Sequence, residues 1–328
     1  MCEVSTTGGA FHGSSKTVHN DQSNDAFASV AIIILNWNGL DDTIACVRSL
    51  LQISDQRFQI ILVDNDSTDG SSDELERLFP EIVLIRRRVN DGYAGGNNEG
   101  IRYALQHGAE YLLILNNDVV VEPNFLVPMI KVLNDRPEVG VVTCKAYFAG
   151  EKGKIYSTGG TLSTLRCTGI SLPTTLADKE GEVSFISGCV LMVRKKVFET
   201  VGLFDEEFFM YFEDTEFSSR VGKSFKLFYT PAGVVYHKSG AGGHWTNYTE
   251  FYLYYNTRNR FLAFRSEHWF YQLYVIAFSL ALALVKSILI FSYGLPRRRR
   301  DDSLKRIRAI WRGLKDGLAG VNGKALEL

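Results

Sequence analysis

The chain has 328 residues, 36 Lys+Arg against 37 Asp+Glu (formal charge −1) and 45% hydrophobic residues. That apolar share supplies a large core and excludes a disordered or collagen-like chain, while the absent basic excess argues against nucleic acid as a partner. The length suits one large domain or two smaller ones, and the chain opens without the basic and apolar regions of a secretory signal.

Residues 1–28, rich in Ser, Thr, Gly, Asn, Asp and His, read as a disordered leader in which His12 and His19 are incidental. Short β-branched runs then follow at 30–35 (VAIIIL), 58–63 (FQIILV), 82–86 (IVLIR) and 111–115 (YLLIL). Helical stretches lie between them at about 41–52, 72–79 and 96–107. Continuous apolar strands alternating with helices predict parallel strands covered on both faces, a doubly wound α/β half. Beyond about 145 the texture changes. Residues 146–183 are rich in Gly, Thr and Ser; 184–193 (SFISGCVLMV) read as a buried strand, 213–222 as a short helix, and 226–229 and 234–237 as short strands. Residues 269–295 are the most apolar stretch, and a basic tail follows. Cys2, Cys46, Cys144, Cys167 and Cys189 are spread singly without C-x-x-C spacing and read as small buried hydrophobes in a reducing compartment.

In open α/β sheets ligands bind beyond the carboxyl ends of the strands, so the polar clusters there are the candidate site. Asn36, Trp37, Asn38 and Gly39 follow the first strand, and DNDSTDGS (64–71) follows the second. A carboxylate at 64 can accept hydrogen bonds from a base or ribose; the plainer alternative is a turn and a helix N-cap. NDGYAGGNNEG (90–100) reads as a glycine-rich loop before a helix, a place that favours phosphate, although it matches neither Walker nor dinucleotide spacing. Asn116, Asn117 and Asp118 follow the fourth strand, where an acid can hold a divalent metal against a diphosphate. Glu213 and Asp214 lie in FFMYFEDTEF, where aromatic surroundings raise a carboxylate's pKa toward that of a general base; an acidic helix start is the alternative. His237 follows VVY, and a lone histidine is more often structural than ligating.

Together these clusters resemble the inverting glycosyltransferases of family 2, and within them the rhamnosyltransferase-like members of bacterial cell-surface polysaccharide assembly. The resemblance rests on ILNWNG (34–39), VDNDSTDGS (63–71), NDGYAGGNNEG (90–100), LNNDVVVEP (115–123), the stretch 187–220, VYHKSG (235–240) and YYNTRNRF (254–261), in unbroken order over roughly 30–262. It implies a GT-A fold, a Rossmann-like mixed α/β sheet flanked by helices. The implied catalytic domain is 29–262, with a donor half at 29–145 and an acceptor half at 146–262, followed by a helical membrane-associated region at 263–328. It further implies a nucleotide-sugar donor contacted by Asn36, Asn38, Asp64, Asp66, Gly95, Asn97, Asn117 and Asp118. Asn116 stands where the family's D-x-D motif has its first acid. Asp118, His237 and Asn116 are then the implied ligands of Mg2+ or Mn2+, with weakened metal dependence because Asn116 brings no charge. Asp214 matches the catalytic base, and Glu213 is the lesser candidate. The expected reaction is a single inverting displacement onto a hydroxyl of a glycan or lipid-linked acceptor. dTDP-L-rhamnose is the expected donor, and UDP-hexoses and galactofuranose are alternatives. A nucleotidyltransferase would carry a basic G-x-G-x-R loop near the first strand, which is absent. A catalytically inactive, membrane-bound sugar-nucleotide binder would have lost Asp118 and Asp214.

Residues 273–295 hold one charge, Lys286, over 23 residues, enough to span a bilayer, with aromatic flanks at Trp269, Phe270, Tyr271, Tyr274 and Tyr293. A single crossing from a cytosolic catalytic domain would place residues 297–300 (RRRR) outside, against the positive-inside preference. The expectation is a helix lying in the cytoplasmic leaflet with the basic tail on anionic lipid. A span and a buried core helix are the alternatives. Residues 297–316 hold nine Lys+Arg and three Asp+Glu, so the overall −1 divides into +6 there and −7 elsewhere.

Overall fold

The structure, a computed structural model, describes residues 3–5, 30–54, 58–238, 248–294 and 300–325. Of the stretch 1–28 read as a disordered leader, only residues 3–5 are described, and these are ordered. They form β1 (Glu3–Ser5), an edge strand. The parallel half is built from β2 (Val30–Asn36), α1 (Leu40–Leu50), β3 (Phe58–Asp64), α2 (Ser71–Leu78), β4 (Val83–Arg86), α3 (Gly92–Gln106) and β5 (Tyr111–Asn116). β2 pairs in parallel with β3 and β5, β3 in parallel with β4, and β1 antiparallel with β4.

The apolar runs are continuous because both faces of each strand are covered. In β2, Ile32 and Ile34 pack with Cys46, Val47 and Leu50 of α1, whereas Ala31 and Ile33 pack with Ala94 and Ile101 of α3.

The second half contributes β6 (Val119–Val121), α4 (Leu126–Asp135), β7 (Val139–Phe148), β8 (Ile155–Ser157), β9 (Gly160–Ser163), β10 (Thr168–Ser171), β11 (Gly181–Val183), β12 (Val190–Arg194), α5 (Lys195–Val201), α6 (Glu213–Val221) and β13 (Lys226–His237). Most of the strands join one mixed sheet in the order β1-β4-β3-β2-β5-β12-β7-β13-β11, so a single sheet crosses both halves. β12 runs antiparallel between β5 and β7. The predicted strand at 184–193 is thus ordered as a strand only from Val190. The two predicted strands at 226–229 and 234–237 are one strand, whose register on β7 slips between Thr230 and Val234. Pro231 and Gly233 lie in that slip, and a Cβ at Gly233 would sit 2.8 Å from the Phe125 carbonyl oxygen.

Three helices close the chain: α7 (Glu250–Ala263), α8 (Trp269–Gly294) and α9 (Arg300–Leu318). From Arg300 the basic tail is therefore a helix, and it packs back on α7. A Cβ at Gly313 would approach the Tyr254 carbonyl oxygen at 2.5 Å, and one at Gly317 would approach Phe261 Cδ2 at 2.4 Å. Two glycines four residues apart thus let the backbones of α7 and α9 meet closely.

Candidate active site

The carboxyl ends of β2, β3 and β5 converge on one polar network. Asn36 is fully buried, and its amide nitrogen donates to Asp64 Oδ1 (2.9 Å), Ser67 Oγ (3.1 Å) and Ser71 Oγ (2.9 Å). Its carbonyl oxygen accepts from Thr43 Oγ1 at 2.8 Å, and Thr43 in turn accepts from Asn117 Nδ2 at 2.9 Å. Asn36 is therefore consumed internally and orients Asp64, whose Oδ2 also accepts from the Ser67 N–H at 3.2 Å. Asn38 and Asp66 are exposed and hold positive φ of 51° and 67°. Asn38 Oδ1 accepts from the Thr68 N–H at 2.8 Å, which ties the first two polar clusters together.

The glycine-rich segment is not a loop. α3 begins at Gly92, and the glycines are spent on packing. A Cβ at Gly92 would lie 2.0 Å from the Phe209 carbonyl oxygen, one at Gly96 2.3 Å from Leu35, and one at Gly100 2.5 Å from Ile33. Gly95 is buried, and a Cβ there would lie 2.7 Å from Asp91 Cβ. Asn97 is buried, with Nδ2 on the Tyr93 carbonyl (2.9 Å) and Oδ1 without a partner.

Asn116, Asp118 and His237 do meet, because β13 pairs with β6 just beyond β5. His237 Nε2 lies 3.1 Å from Asp118 Oδ1 and 3.3 Å from the Asn116 amide, while Nδ1 is buried without a partner. The two neighbours of Nε2 make opposite demands: the carboxylate needs a proton there, and the amide N–H needs a lone pair. With the amide turned over, two arrangements satisfy all three groups: an Nε2–H shared by the carboxylate and the amide oxygen, or a cation that takes the imidazole lone pair and both oxygens. The donor set fits a divalent ion shared with further ligands. Among the described residues no cluster of three His, Cys, Asp or Glu side chains is present that would hold a metal unaided.

Glu213 and Asp214 open α6 after a strained turn. Phe209, Tyr211 and Phe212 all hold positive φ, at 61°, 68° and 74°. Asn259 of α7 clamps this turn, donating from one amide to the carbonyls of Phe208, Met210 and Tyr211, each at 2.8 Å. Arg258, fully buried, donates to the Phe208 carbonyl at 3.1 Å. The Tyr93 N–H donates to the Phe209 carbonyl at 2.6 Å. Asp214 Oδ2 accepts from the Gly188 N–H at 3.1 Å, and burial raises its pKa. Burial, then the Asp214 charge, pushes Glu213 up to about 8, and its Oε2 has no partner.

Residues 187–189 connect the two chemistries. The Gly188 N–H reaches Asp214, and the Cys189 carbonyl accepts from the Asn116 N–H at 3.1 Å. The Gly188 carbonyl accepts from the Tyr93 hydroxyl at 2.5 Å. The Tyr156 ring lies 4.3 Å from that of His237, tilted by 37°, and burial, then Cys189, Asp118 and Asp214, raises its pKa. The same two charges reach Cys189, which burial pushes up to about 12. Asp118 and Asp214 thus lie on either side of residues 187–189, close enough for both charges to act on Tyr156 and Cys189. Sequence reasoning passes over Tyr93, Tyr156, Arg258 and Asn259 as site residues. Only the YYNTRNRF string flags the last two.

Residues 31–202 match the family model described as Glycosyl transferase family 2. The N-acetylglucosaminyl-diphospho-decaprenol L-rhamnosyltransferase of Mycobacterium tuberculosis (strain ATCC 25618 / H37Rv) is 25% identical over 221 residues, 60% of this chain and 71% of that protein. The dTDP-rhamnosyl transferase RfbF of Shigella flexneri is 26% identical over 230 residues, 67% of this chain and 75% of that one. Among solved structures, the mannosyltransferase PcManGT from Pyrobaculum calidifontis, in complex with GDP-Man and Mn2+, aligns with a TM-score of 0.54 at 15% identity over 90% of each chain. At that identity the likeness is one of fold.

Proposed function

The chain belongs to glycosyl transferase family 2, and from that premise we propose that it transfers L-rhamnose, with inversion, from a dTDP-linked donor to a hydroxyl of a lipid-linked glycan. Its fold is the GT-A mixed sheet flanked by helices. The observation that carries the reading is the pair of acids on either side of residues 187–189: Asp118 beside His237, and Asp214 on the Gly188 N–H. The two rhamnosyltransferase relatives support the sugar, and the mycobacterial one supports a lipid-linked acceptor.

Asp64, positioned by Asn36, receives the nucleotide beside Asn38, Asp66 and Asn117, and the unpartnered Asn97 Oδ1 is free to accept from the donor. Asp118, His237 and the Asn116 amide oxygen would hold Mg2+ or Mn2+, which when bound neutralises charge on the departing diphosphate. Asp214 accepts the acceptor's hydroxyl proton as that oxygen bonds to the anomeric carbon. The bond from that carbon to the diphosphate breaks, and the nucleoside diphosphate leaves with both electrons. One displacement inverts the configuration. The raised pKa of Asp214 makes it a stronger base than an exposed aspartate.

Outward-facing residues of α8 support placement on a membrane: Trp269, Phe270, Leu273, Leu284 and Ile288 are each more than half exposed. Only 22% of its most apolar window is buried, which disfavours a core helix. The reading is a helix in the cytoplasmic leaflet, with the exposed basic residues of α9 toward anionic headgroups.

The test is release of nucleoside diphosphate from a donor panel with Mg2+ or Mn2+. Asp214→Asn is expected to retain donor binding and to lose about 10²–10⁴-fold in turnover. Substantial activity in that variant would overturn the assignment of the base. His237→Ala is expected to raise the Mn2+ concentration needed for half-maximal turnover by about tenfold or more.

A further inference from the structure

Asp214 is held at two points far apart in the chain, and one residue reaches both. Its Oδ2 rests on the Gly188 N–H, and its backbone follows the strained turn that holds Phe209, Tyr211 and Phe212. Tyr93, in the first turn of α3, touches each of these supports. Its N–H donates to the Phe209 carbonyl, and its hydroxyl donates across 95 residues to the Gly188 carbonyl. The fit is close, since a Cβ at Gly188 would lie 3.1 Å from the Tyr93 hydroxyl oxygen. The start of α3 is itself pinned on the donor side: the carbonyl of Gly92 accepts from Asn65 Nδ2 at 3.0 Å, and Asn65 directly follows Asp64.

The groups facing Asp214 are Glu213 on α6, Tyr93 on α3, Tyr156 on β8 and Cys189 beside Gly188. Burial, then the Glu213 and Asp214 charges, raises the Tyr93 hydroxyl well above its usual range, so it remains a hydrogen-bond donor. Tyr156 and Cys189 are raised by burial as well. Of these five groups only the two acids therefore titrate between about pH 5 and pH 9. Burial raises Asp214, and the Gly188 N–H is the foremost hydrogen bond opposing that rise. Gly188 thus governs where the base ionises, and Tyr93 governs where Gly188 sits. We propose that Tyr93 is a positioning residue for the base: its hydroxyl holds the Gly188 backbone so that the Gly188 N–H meets the Asp214 carboxylate, while its own N–H ties α3 to the turn that delivers Asp214. The role of Asp214 as base rests on the transferase reading above.

The experiment follows the Asp214 carboxyl by its infrared C=O stretch in the full chain with no donor present. Glu213→Gln serves as background to remove the other acid, and Asp214→Asn as control. Tyr93→Phe removes one oxygen and keeps the ring, whose edge contact with Phe204 spans 6.1 Å, so it is expected to fold. In it the Asp214 transition is expected to move up by about one pH unit or more, the worth of a hydrogen bond to a charged group. Gly188→Ala, which presses a methyl group on the same hydroxyl, is expected to move the transition the same way. Nucleoside diphosphate release from dTDP-L-rhamnose reads the consequence. Losing the N–H disfavours the carboxylate, so less base is ionised at a given pH and the acid limb of kcat moves to higher pH. Tyr93→Phe is expected to lose most turnover near pH 5 to 6 and least near pH 9, with KM for the donor unchanged. An unmoved infrared transition, with a loss of kcat that is uniform in pH, shows a purely structural tyrosine and overturns the proposal. Should Tyr93→Phe not fold, an unmoved transition in Gly188→Ala overturns it. The infrared measurement needs no donor, so failure to turn over dTDP-L-rhamnose bears on the transferase reading alone.

Discussion

Adjacent buried carboxyls do not ionise together at neutral pH, and their environments divide the roles. Glu213, held up near 8, keeps its proton in the fold where an unfolded glutamate has lost it. Its contribution to stability is therefore full below about pH 4.5 and is lost as pH rises through about 8. Glu213→Gln removes this dependence. Melting temperatures taken at intervals from about pH 5 to pH 9 are expected to fall less in the variant than in the native chain. Equal slopes would show that Glu213 is ionised in the fold. Asn259 gathers three carbonyls of the turn before these acids, so Asn259→Ala is expected to cost about 1–3 kcal/mol and to lower kcat more than it raises KM. Denaturant titration and steady-state kinetics read the two effects. At this scale the sequence is legible in position: Asp64 and Asp118 stand at or just beyond strand ends, as their place after an apolar run implies. For Asn259 it offers only the YYNTRNRF string and no role, because nothing local reports that an amide on α7 serves a turn about fifty residues away.

Elements were legible where burial on both faces forced long apolar runs, as in β2, β3 and β5. They were misread where tertiary packing outweighs propensity. Glycine disfavours helix in isolation by about 1 kcal/mol, so residues 92–95 look like a loop and the predicted helix starts late, yet α3 uses the missing bulk of Gly96 and Gly100 to lie against Leu35 and Ile33. The same logic holds at α9, whose Gly313 and Gly317 seat it on α7. Gly317→Val is expected to wedge the helices apart at a cost of about 1–3 kcal/mol, seen as a lower denaturant midpoint. An unchanged midpoint would mean that α9 contributes little to the fold.

For the whole molecule, the opening near-neutrality is a sum of an acidic body and a basic terminal region. Paired with the apolar outer face of α8, that asymmetry predicts how the chain partitions. Leu284→Lys with Ile288→Lys is expected to move most of the protein from the membrane to the soluble fraction, judged by sedimentation after lysis. The native chain is expected to resist high salt and to yield partly to alkaline carbonate. Retention of the double variant on membranes would show that this face is not the contact.

Residues 187–189 work as a gauge block. One end is fixed to the strand edge at Asn116 and the other to the carboxylate of Asp214, so the gap between them is set by this short turn. The stretch at 146–183 leans on the residues just before this block, since the Gly160 carbonyl accepts from the Ser184 and Phe185 N–H groups. A residue inserted within 187–189 would therefore alter the spacing of Asn116 and Asp214 directly.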